Sequence, residues 1–432
     1  MTVHRVTIQE LKVEPGIVGK IAKLSDITEA EVRIQISELN DRVRPFLRSK
    51  DGENNDGRAP ITVKSNGGLR ADGVAGLLRL NARVEVEVVP KFLDKESSMW
   101  RSDFLLLALL VKSGHLLLHD EISADEHGRG DLATLIARSF VHSYAENSRR
   151  TIRGYRRAPY ADYAIDGDVD WESTILPGPE GFSQSRLELS RQNPYNATLL
   201  AAAEILIGEV SDTDTEAQLR QIARQLSPQE APPSYFPPLP NRHGSWKRSY
   251  DLAKLVVRGL GLSPDWGSFT GPGFVLSTWS AWESLCEEIV RRAMPDHRVY
   301  AQHQWHLGIR GDGTPVFAKP DISPVANGAV PFLIDAKYKT RIDRKPRISS
   351  TDLYESMAFL RAANAQRMFL LYPSLQPVNE VSLGRWKEFD QVAVDNFFVQ
   401  GFEVQIRGLS RKGGFSDLVS GARKTLASLA LS

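Results

Sequence analysis

Apolar segments of helix length and strand length follow one another in a fixed order over residues 271–432. Apolar residues recur at helical spacing over 282–290, and three strand-like segments follow, the first two separated by a Gly-Asp-Gly turn at 311–313. A second helical segment then leads into one more apolar strand. The strand-like segments are 298–309, 316–322, 331–338 and 368–372, and the second helix is 352–365. This order predicts an α/β domain whose first strands form a meander.

Alternation between apolar and polar residues dominates the N-terminal part of the chain. Over residues 78–88 every even position is apolar and every odd position is polar. A period of two predicts strands with one buried and one solvated face. Shorter alternating pieces at 3–13 and 31–37 predict further strands. We therefore expect a β-rich region over residues 1–95.

The middle of the chain has a helical character. Residues 104–111, 132–153 and 246–260 are predicted as helices, whereas six prolines between 228 and 240 exclude a continuous helix and predict a linker. The predicted fold class is a multi-domain α+β protein. Its parts are a β-rich region (1–95), a mainly helical middle region (96–270) and a C-terminal α/β domain (271–432).

Composition limits the class of protein. Lys and Arg number 54 against 53 for Asp and Glu, so a nucleic-acid surface must come from local clustering of charge. A single cysteine, Cys286, excludes a disulfide framework and a cysteine-rich zinc site. The chain has no apolar run near the ~20 residues of a membrane span and no signal-peptide core at its start. These features predict a cytoplasmic protein without a membrane partner.

Two acidic motifs lie in the predicted meander. Pro320-Asp321 is followed, fourteen residues after Asp321, by Asp335-Ala336-Lys337. Asp335 and Lys337 are two apart on a strand and therefore point to the same face of the sheet. The chain between the two motifs has the length of a hairpin. We therefore expect both carboxylates to meet at one end of the sheet.

This set of side chains predicts metal-dependent phosphate chemistry. Two neighbouring carboxylates repel each other and favour a bound Mg²⁺, or Mn²⁺ in its place. The metal polarises a phosphate and lowers the pKa of a bound water, while a lysine orients that water or offsets transition-state charge. This is the PD…(D/E)XK pattern of nucleases. Glu283, on the preceding helix, is a candidate for a further ligand.

Short strings of this kind also occur by chance. Pro295-Asp296 has the same two residues, but it lies between a helix end and a strand start, where a turn explains it. The alternative for Asp321, Asp335 and Lys337 is a surface hairpin with an ordinary salt bridge.

Cations follow the second motif closely. Five of them are candidate DNA contacts: Lys339, Arg341, Arg344, Lys345 and Arg347. A solvated basic loop is the alternative. A second cluster has interleaved aromatic residues and is either a nucleic-acid track or a solvated face: Arg149, Arg150, Arg153, Tyr155, Arg156, Arg157 and Tyr160.

The chain contains no P-loop motif, so we expect it to bind no nucleotide and any motor to be another protein.

These motifs resemble the McrC family, the nuclease subunits of McrBC modification-dependent restriction systems. The strongest similarity lies in KPDI at 319–322 and LIDAKYK at 333–339. Weaker similarity lies at 86–91, 192–199, 282–283, 352–354 and 369–373. Two residues depart from the family pattern. Glu355 stands where the family usually has glutamine, and Phe359 where it has tyrosine, so we assign Glu355 no catalytic role.

The resemblance implies a restriction-endonuclease-like domain that cuts DNA with Mg²⁺. Asp321 and Asp335 would be metal ligands, Lys337 the water-orienting or charge-stabilising residue, and Glu283 a further ligand or nearby acid. It also implies a partner, a McrB-like AAA+ GTPase hexamer that recognises methylated cytosine, with residues 1–95 as the docking region. Two alternatives stay open: a stand-alone Mg²⁺-dependent repair nuclease, and a non-catalytic subunit that activates a partner NTPase.

Overall fold

The structure is a computed structural model with a mixed α+β fold. It describes residues 4–44, 47, 59–97, 99–113, 132–169, 176–210, 212–229, 235–259, 273–339, 347–376 and 382–431. The chain divides into two compact units, one made of Met1–Ser123 with Pro272–Ser432 and the other of Ala124–Gly271. Residues 1–95 are therefore not a body separate from the C-terminal region. No helix among the described residues is long and apolar enough to cross a membrane.

Among the residues that the structure describes, the N-terminal part of the first unit contains one sheet, one hairpin and three helices. Its elements are β1 (His4–Gln9), α1 (Ile17–Ser25), α2 (Glu29–Val43), β2 (Ile61–Val63), β3 (Leu69–Ala71), β4 (Val74–Arg79), β5 (Val84–Val89) and α3 (Trp100–Ser113). The sheet has the strand order β1-β5-β4-β9, in which β9 (Gly273–Ser277) comes from the C-terminal part of the chain. Side chains from α1 and α2 fill one core with those of the sheet.

The C-terminal part of the first unit is built on a larger sheet of order β10-β13-β14-β15-β17-β16. Its remaining elements are α8 (Thr278–Ala293), β10 (Arg298–Ala301), β11 (Trp305–Ile309), β12 (Pro315–Ala318), β13 (Ile322–Val325), β14 (Leu333–Ala336), α9 (Ser350–Ala363), β15 (Arg367–Pro373), β16 (Trp386–Val394), β17 (Phe397–Val404) and α10 (Gly414–Leu431). Strands β10, β13 and β14 are antiparallel, whereas β14, β15 and β17 are parallel. The predicted meander and the helix that follows it are present.

The second unit contains helices and a small sheet of order β6-β8-β7. Its elements are α4 (Leu132–Asn147), β6 (Gly154–Asp162), β7 (Asp168–Val169), β8 (Phe182–Ser190), α5 (Pro194–Ile207), α6 (Thr213–Leu226), a 3-10 helix (Asn241–Trp246) and α7 (Lys247–Gly259). Of the proline-rich segment, residues 228–229 and 235–240 are described and form neither helix nor strand. The predicted helix over 132–153 ends at Asn147, before the basic residues.

The prediction of a strand at 31–37 is wrong, because these residues lie inside α2. Thr28 caps the helix: its hydroxyl accepts from the Glu31 amide, and the Glu31 carboxylate accepts from the Thr28 amide. This capping box satisfies two backbone donors at the helix start. The buried residues Val32, Ile36, Leu39 and Val43 follow helical spacing, while Ile34 is exposed.

The prediction that one face of the 78–88 strand is solvated is also wrong. Every residue of β5 is buried, including Glu85 and Glu87. Glu85 accepts from Arg79 at 2.6 Å and from Arg5 at 3.0 Å, and Glu87 pairs with Arg101 at 2.7 Å. Each of the two buried carboxylates is therefore paired with arginine, which offsets the cost of burying it.

Two predicted strands are each split in the structure. The segment 298–309 breaks into β10 and β11 at Gln302, whose φ is +46°. The segment 316–322 breaks into β12 and β13 around Pro320, which has no amide hydrogen to donate to a sheet. As a result β11 and β12 form a separate hairpin, and Asp321 lies at the start of β13.

Candidate functional site

Four residues predicted from the sequence line one polar cavity of about 230 Å³ in the first unit. They are Glu283, Asp321, Asp335 and Lys337. Asp335 is 5% exposed, whereas Asp321, Glu283 and Lys337 are partly buried. The structure therefore brings together the complete predicted set.

The register of two strands sets the distance between the aspartates. Ile322 of β13 is paired with Ile334 of the antiparallel strand β14, so the preceding Asp321 lies opposite the following Asp335. Asp321 Oδ2 accepts a hydrogen bond from the Ala336 amide at 2.8 Å. The Asp321 carbonyl oxygen accepts from the Gln302 amide at 2.8 Å. The break in the sheet at Gln302 thus helps to hold Asp321 at the cavity.

Helix α8 supplies the third carboxylate. Its apolar face, which includes Trp282 and Cys286, is buried as the sequence predicts. The Trp282 indole donates to the Leu371 carbonyl oxygen at 3.0 Å, which fixes α8 against the central strand β15. Glu283 follows Trp282 directly and faces the cavity at the edge of this buried stripe.

Lys337 is held by several carboxylates. Its Nζ contacts the Asp335 carboxylate, lies 2.6 Å from Glu355 Oε2 and 3.7 Å from Asp352 Oδ1. Burial opposes the charged form of this side chain, but the charge of Asp335 and the contact with Glu355 outweigh it and raise the pKa of Lys337. Lys337 is therefore an ammonium ion at neutral pH.

The carboxylates of the cavity repel one another. Burial, and then the charges of Asp335 and Glu283, raise the pKa of Asp321 to about 9. Burial also raises the pKa of the Cys286 thiol, and the same three carboxylates add to that effect. Negative charge that is destabilised in this way is what a hard divalent cation offsets.

Two carboxylates of the cavity have the chemistry of Mg²⁺ ligands. Within the described part of the chain, no group of three or more His, Cys, Asp or Glu side chains is arranged to hold a metal. Mg²⁺ does not require one, because it is commonly bound by one or two carboxylates together with waters and substrate phosphate. Asp321 and Asp335 fit that role, and Glu283 is placed to act beside them.

The predicted DNA-binding cations have different environments. Lys339 Nζ lies 2.6 Å from Oδ1 of the buried Asp352, so its charge is already compensated. Arg347 is exposed. Arg341, Arg344 and Lys345 lie outside the described residues.

Two other features of the sequence lie away from the cavity. The second basic cluster lies in the second unit, and Asp296 lies in the turn after α8, outside the cavity lining.

Five further side chains line the cavity, and the sequence analysis did not assign them to the site. They are Trp279, Gln302, Lys319, Glu355 and Phe359. For two of these five residues, the neighbouring sequence could have indicated a place in the cavity. Lys319 directly precedes Pro320-Asp321, and Glu355 lies one helical turn after Asp352 on α9. The sequence around Gln302 gives no such indication, because the role of Gln302 depends on a left-handed backbone conformation.

Comparison with solved structures gives two similar folds from Thermococcus gammatolerans. The first is a refined half-complex from a tetradecameric assembly of McrB AAA+ hexamers with bound McrC, with TM-score 0.69 and 16% identity over 99% of this chain and 100% of that chain. The second is a cryo-EM structure of the McrBC complex, with TM-score 0.50 and 15% identity over 68% of this chain and 89% of that chain. A comparison with curated proteins gives no match.

A family model described as McrBC 5-methylcytosine restriction system component matches residues 69–373. The matched segment contains every residue of the cavity and most of both units. The resemblance to this family in the sequence motifs is therefore confirmed. The chain belongs to the family of McrBC 5-methylcytosine restriction system components.

Proposed function

We propose that this chain is the DNA endonuclease subunit of a McrBC-type restriction system. It hydrolyses DNA phosphodiesters with Mg²⁺ when coupled to a McrB-like AAA+ GTPase. The observation that carries the proposal is the cavity itself, where Asp321, Asp335 and Lys337 meet at the adjoining ends of β13 and β14 in a member of this family.

Each residue of the set has a separate task. Asp321 and Asp335 would hold Mg²⁺, which when bound supplies Lewis-acid polarisation of the phosphate. The Lys337 ammonium group lies at the Asp335 carboxylate. It would donate a hydrogen bond to the attacking water or to a phosphate oxygen, and its charge would offset the negative charge that develops on the phosphate oxygens. Because it is protonated, Lys337 acts as a donor rather than as a base.

Glu355 competes for the same lysine. It accepts from Lys337 Nζ at 2.6 Å, and its side chain is 44% exposed. A phosphate that enters the cavity replaces the Glu355 carboxylate as the partner of the Lys337 ammonium group, because the phosphate and the carboxylate are both anions. Exposed cations outside the cavity, such as Arg347, would contact the DNA backbone, and those contacts weaken with salt.

The partner follows from the structural relative. In the Thermococcus gammatolerans assembly McrC is bound to McrB AAA+ hexamers, and this chain aligns over its whole length with the matched chain. This chain has no P-loop of its own, so GTP hydrolysis and recognition of methylated cytosine would belong to the partner.

The decisive experiment reconstitutes the complex. Plasmid DNA with and without 5-methylcytosine is incubated with this chain, its McrB-like partner, GTP and Mg²⁺, and linear products are counted on a gel. We expect cleavage of the methylated plasmid that stops on addition of EDTA. Cleavage that persists in EDTA would contradict the metal-dependent mechanism.

The role of Glu283 can be tested in the same assay. Glu283→Gln keeps shape and hydrogen bonding but removes a charge beside the metal. We expect an intermediate phenotype: a higher Mg²⁺ requirement, partly restored by Mn²⁺. Glu287→Gln is the matched control, since Glu287 lies one turn further on the same helix and pairs with Arg291 outside the cavity. Unchanged activity of Glu283→Gln at limiting Mg²⁺ would remove Glu283 from the site.

A further inference from the structure

We propose that residues of the N-terminal region position the nuclease site, with Tyr338 as the positioning residue and Glu10 as the buried acceptor that anchors it. This inference rests on the proposed function, because it concerns the placement of Lys337. It adds that residues of the N-terminal region hold the cavity residues in place, in addition to any role of that region in docking a partner.

Glu10 joins two distant parts of the chain. Its carboxylate is 1% exposed and accepts four hydrogen bonds. Two come from nearby backbone amides, Gly73 at 3.1 Å and Lys91 at 3.0 Å. The other two come from the C-terminal part: the Thr278 hydroxyl at 2.7 Å and the Tyr338 hydroxyl. These four donors satisfy the buried carboxyl group from both parts of the chain.

Tyr338 is held on three sides by residues of the N-terminal region. Its hydroxyl donates to Glu10, and Lys91 Nζ lies 3.6 Å from the centroid of its ring. Phe92 packs edge-on against the same ring, with centroids 5.7 Å apart at 88°. Among the described residues, Lys91 Nζ has no hydrogen-bond partner, and its ammonium group lies over the tyrosine ring.

The position of Tyr338 controls that of its neighbours in the cavity. Tyr338 directly follows Lys337, whose amide donates to the Leu371 carbonyl oxygen at 2.9 Å. The same carbonyl oxygen accepts from Trp282, which precedes Glu283 and packs against Phe92 at 6.3 Å. Tyr338 and Trp282, the neighbours of Lys337 and Glu283, therefore both pack against Phe92 of the N-terminal region. A displacement of about 1 Å at a reacting group can cost a hundredfold in rate.

Tyr338→Phe removes only the hydroxyl. The ring keeps its contacts with Lys91 and Phe92, and Glu10 keeps three donors, so the protein should fold. We expect the cleavage rate at saturating DNA to fall about tenfold, since positioning acts on the chemical step. The KM for DNA and the GTP hydrolysis of the partner should change little.

A matched control separates positioning from stability. Asp103 is another buried carboxylate of the first unit, and it accepts from the Gly408 amide at 2.8 Å and from the Ser410 amide and hydroxyl at 2.7 Å each. It does not line the cavity. Asp103→Asn should lower the urea midpoint at least as much as Tyr338→Phe, without loss of cleavage while the protein is folded.

A second measurement does not depend on nuclease activity. The rate at which an N-hydroxysuccinimide acetate acylates Lys337 is measured by mass spectrometry in the full-length chain. We expect it to rise several-fold in Tyr338→Phe and not in Asp103→Asn. Wild-type acylation of Lys337 together with wild-type cleavage in Tyr338→Phe would overturn the inference. A wild-type complex that does not cut DNA, combined with the expected rise in acylation, would refute the proposed function and support the positioning role.

Discussion

Asp335→Ala and Lys337→Ala are each expected to lower Mg²⁺-dependent DNA cleavage by at least about a hundredfold. Asp335 is buried, lies opposite Asp321 and contacts Lys337, so its loss removes a proposed metal ligand and the partner of the ammonium group. Lys337→Ala removes the charge that offsets the transition state. Plasmid cleavage by the assembled complex measures both effects, and circular dichroism verifies that each variant is folded.

The two variants should differ in one respect. Asp335→Ala should also abolish Mg²⁺ binding in calorimetry, whereas Lys337→Ala should retain it. Asp296→Ala is the control, because Asp296 belongs to the second Pro-Asp string but lies in an exposed turn. If Asp296 were essential for cleavage and Asp321 dispensable, the assignment of the site would be wrong.

The second large effect concerns the partner. Without a McrB-like GTPase or without GTP, we expect this chain to cleave DNA at least about a hundredfold more slowly. The chain has no P-loop, and its net charge is only +1. Non-specific affinity scales with the number of phosphates neutralised, so a chain this close to neutral holds DNA weakly at physiological salt. The measurement is plasmid cleavage with each component omitted in turn.

Two results would favour other functions. Efficient cutting of unmodified DNA by the purified chain alone would identify a stand-alone nuclease. Stimulated GTP hydrolysis by the partner with no cleavage under any condition would identify a non-catalytic subunit. Deletion of residues 1–95 is not a clean alternative to these experiments, because it removes Glu10 and Phe92, which pack against Thr278, Trp282 and Tyr338.

The grouping of the candidate site could be predicted because its signals are local. The period of two predicted that Asp335 and Lys337 point the same way, although β14 ends at Ala336, and the chain between Asp321 and Asp335 is short. Lys339 was harder, since its partner Asp352 lies 13 positions further along the chain. The contact of Glu10 with Tyr338 spans 328 positions and leaves no local pattern at either residue.

The sequence predicted the fold less well in the N-terminal region, because alternation of apolar and polar residues there does not always mark a strand with one solvated face. The polar positions Glu85 and Glu87 resemble a solvated strand face, but arginines from β1, β4 and α3 neutralise them inside the protein. Residues 31–37 alternate by chance within a helix that the capping box at Thr28 and Glu31 starts. Both differences arise from polar contacts, and the alternation also placed Ile34, which is exposed, on the buried face.

The pairing of β9 with β4 has a consequence for synthesis of the protein on the ribosome. Strand β4 ends at Arg79 and β9 begins at Gly273, so about 190 residues, including the whole second unit, are translated between them. At about 5–20 residues per second, this interval lasts roughly 10–40 s. Throughout it, one edge of β4 is unpaired, and unpaired strand edges promote aggregation. The nascent chain therefore carries an aggregation-prone strand edge while the second unit is being made, until β9 can pair with β4.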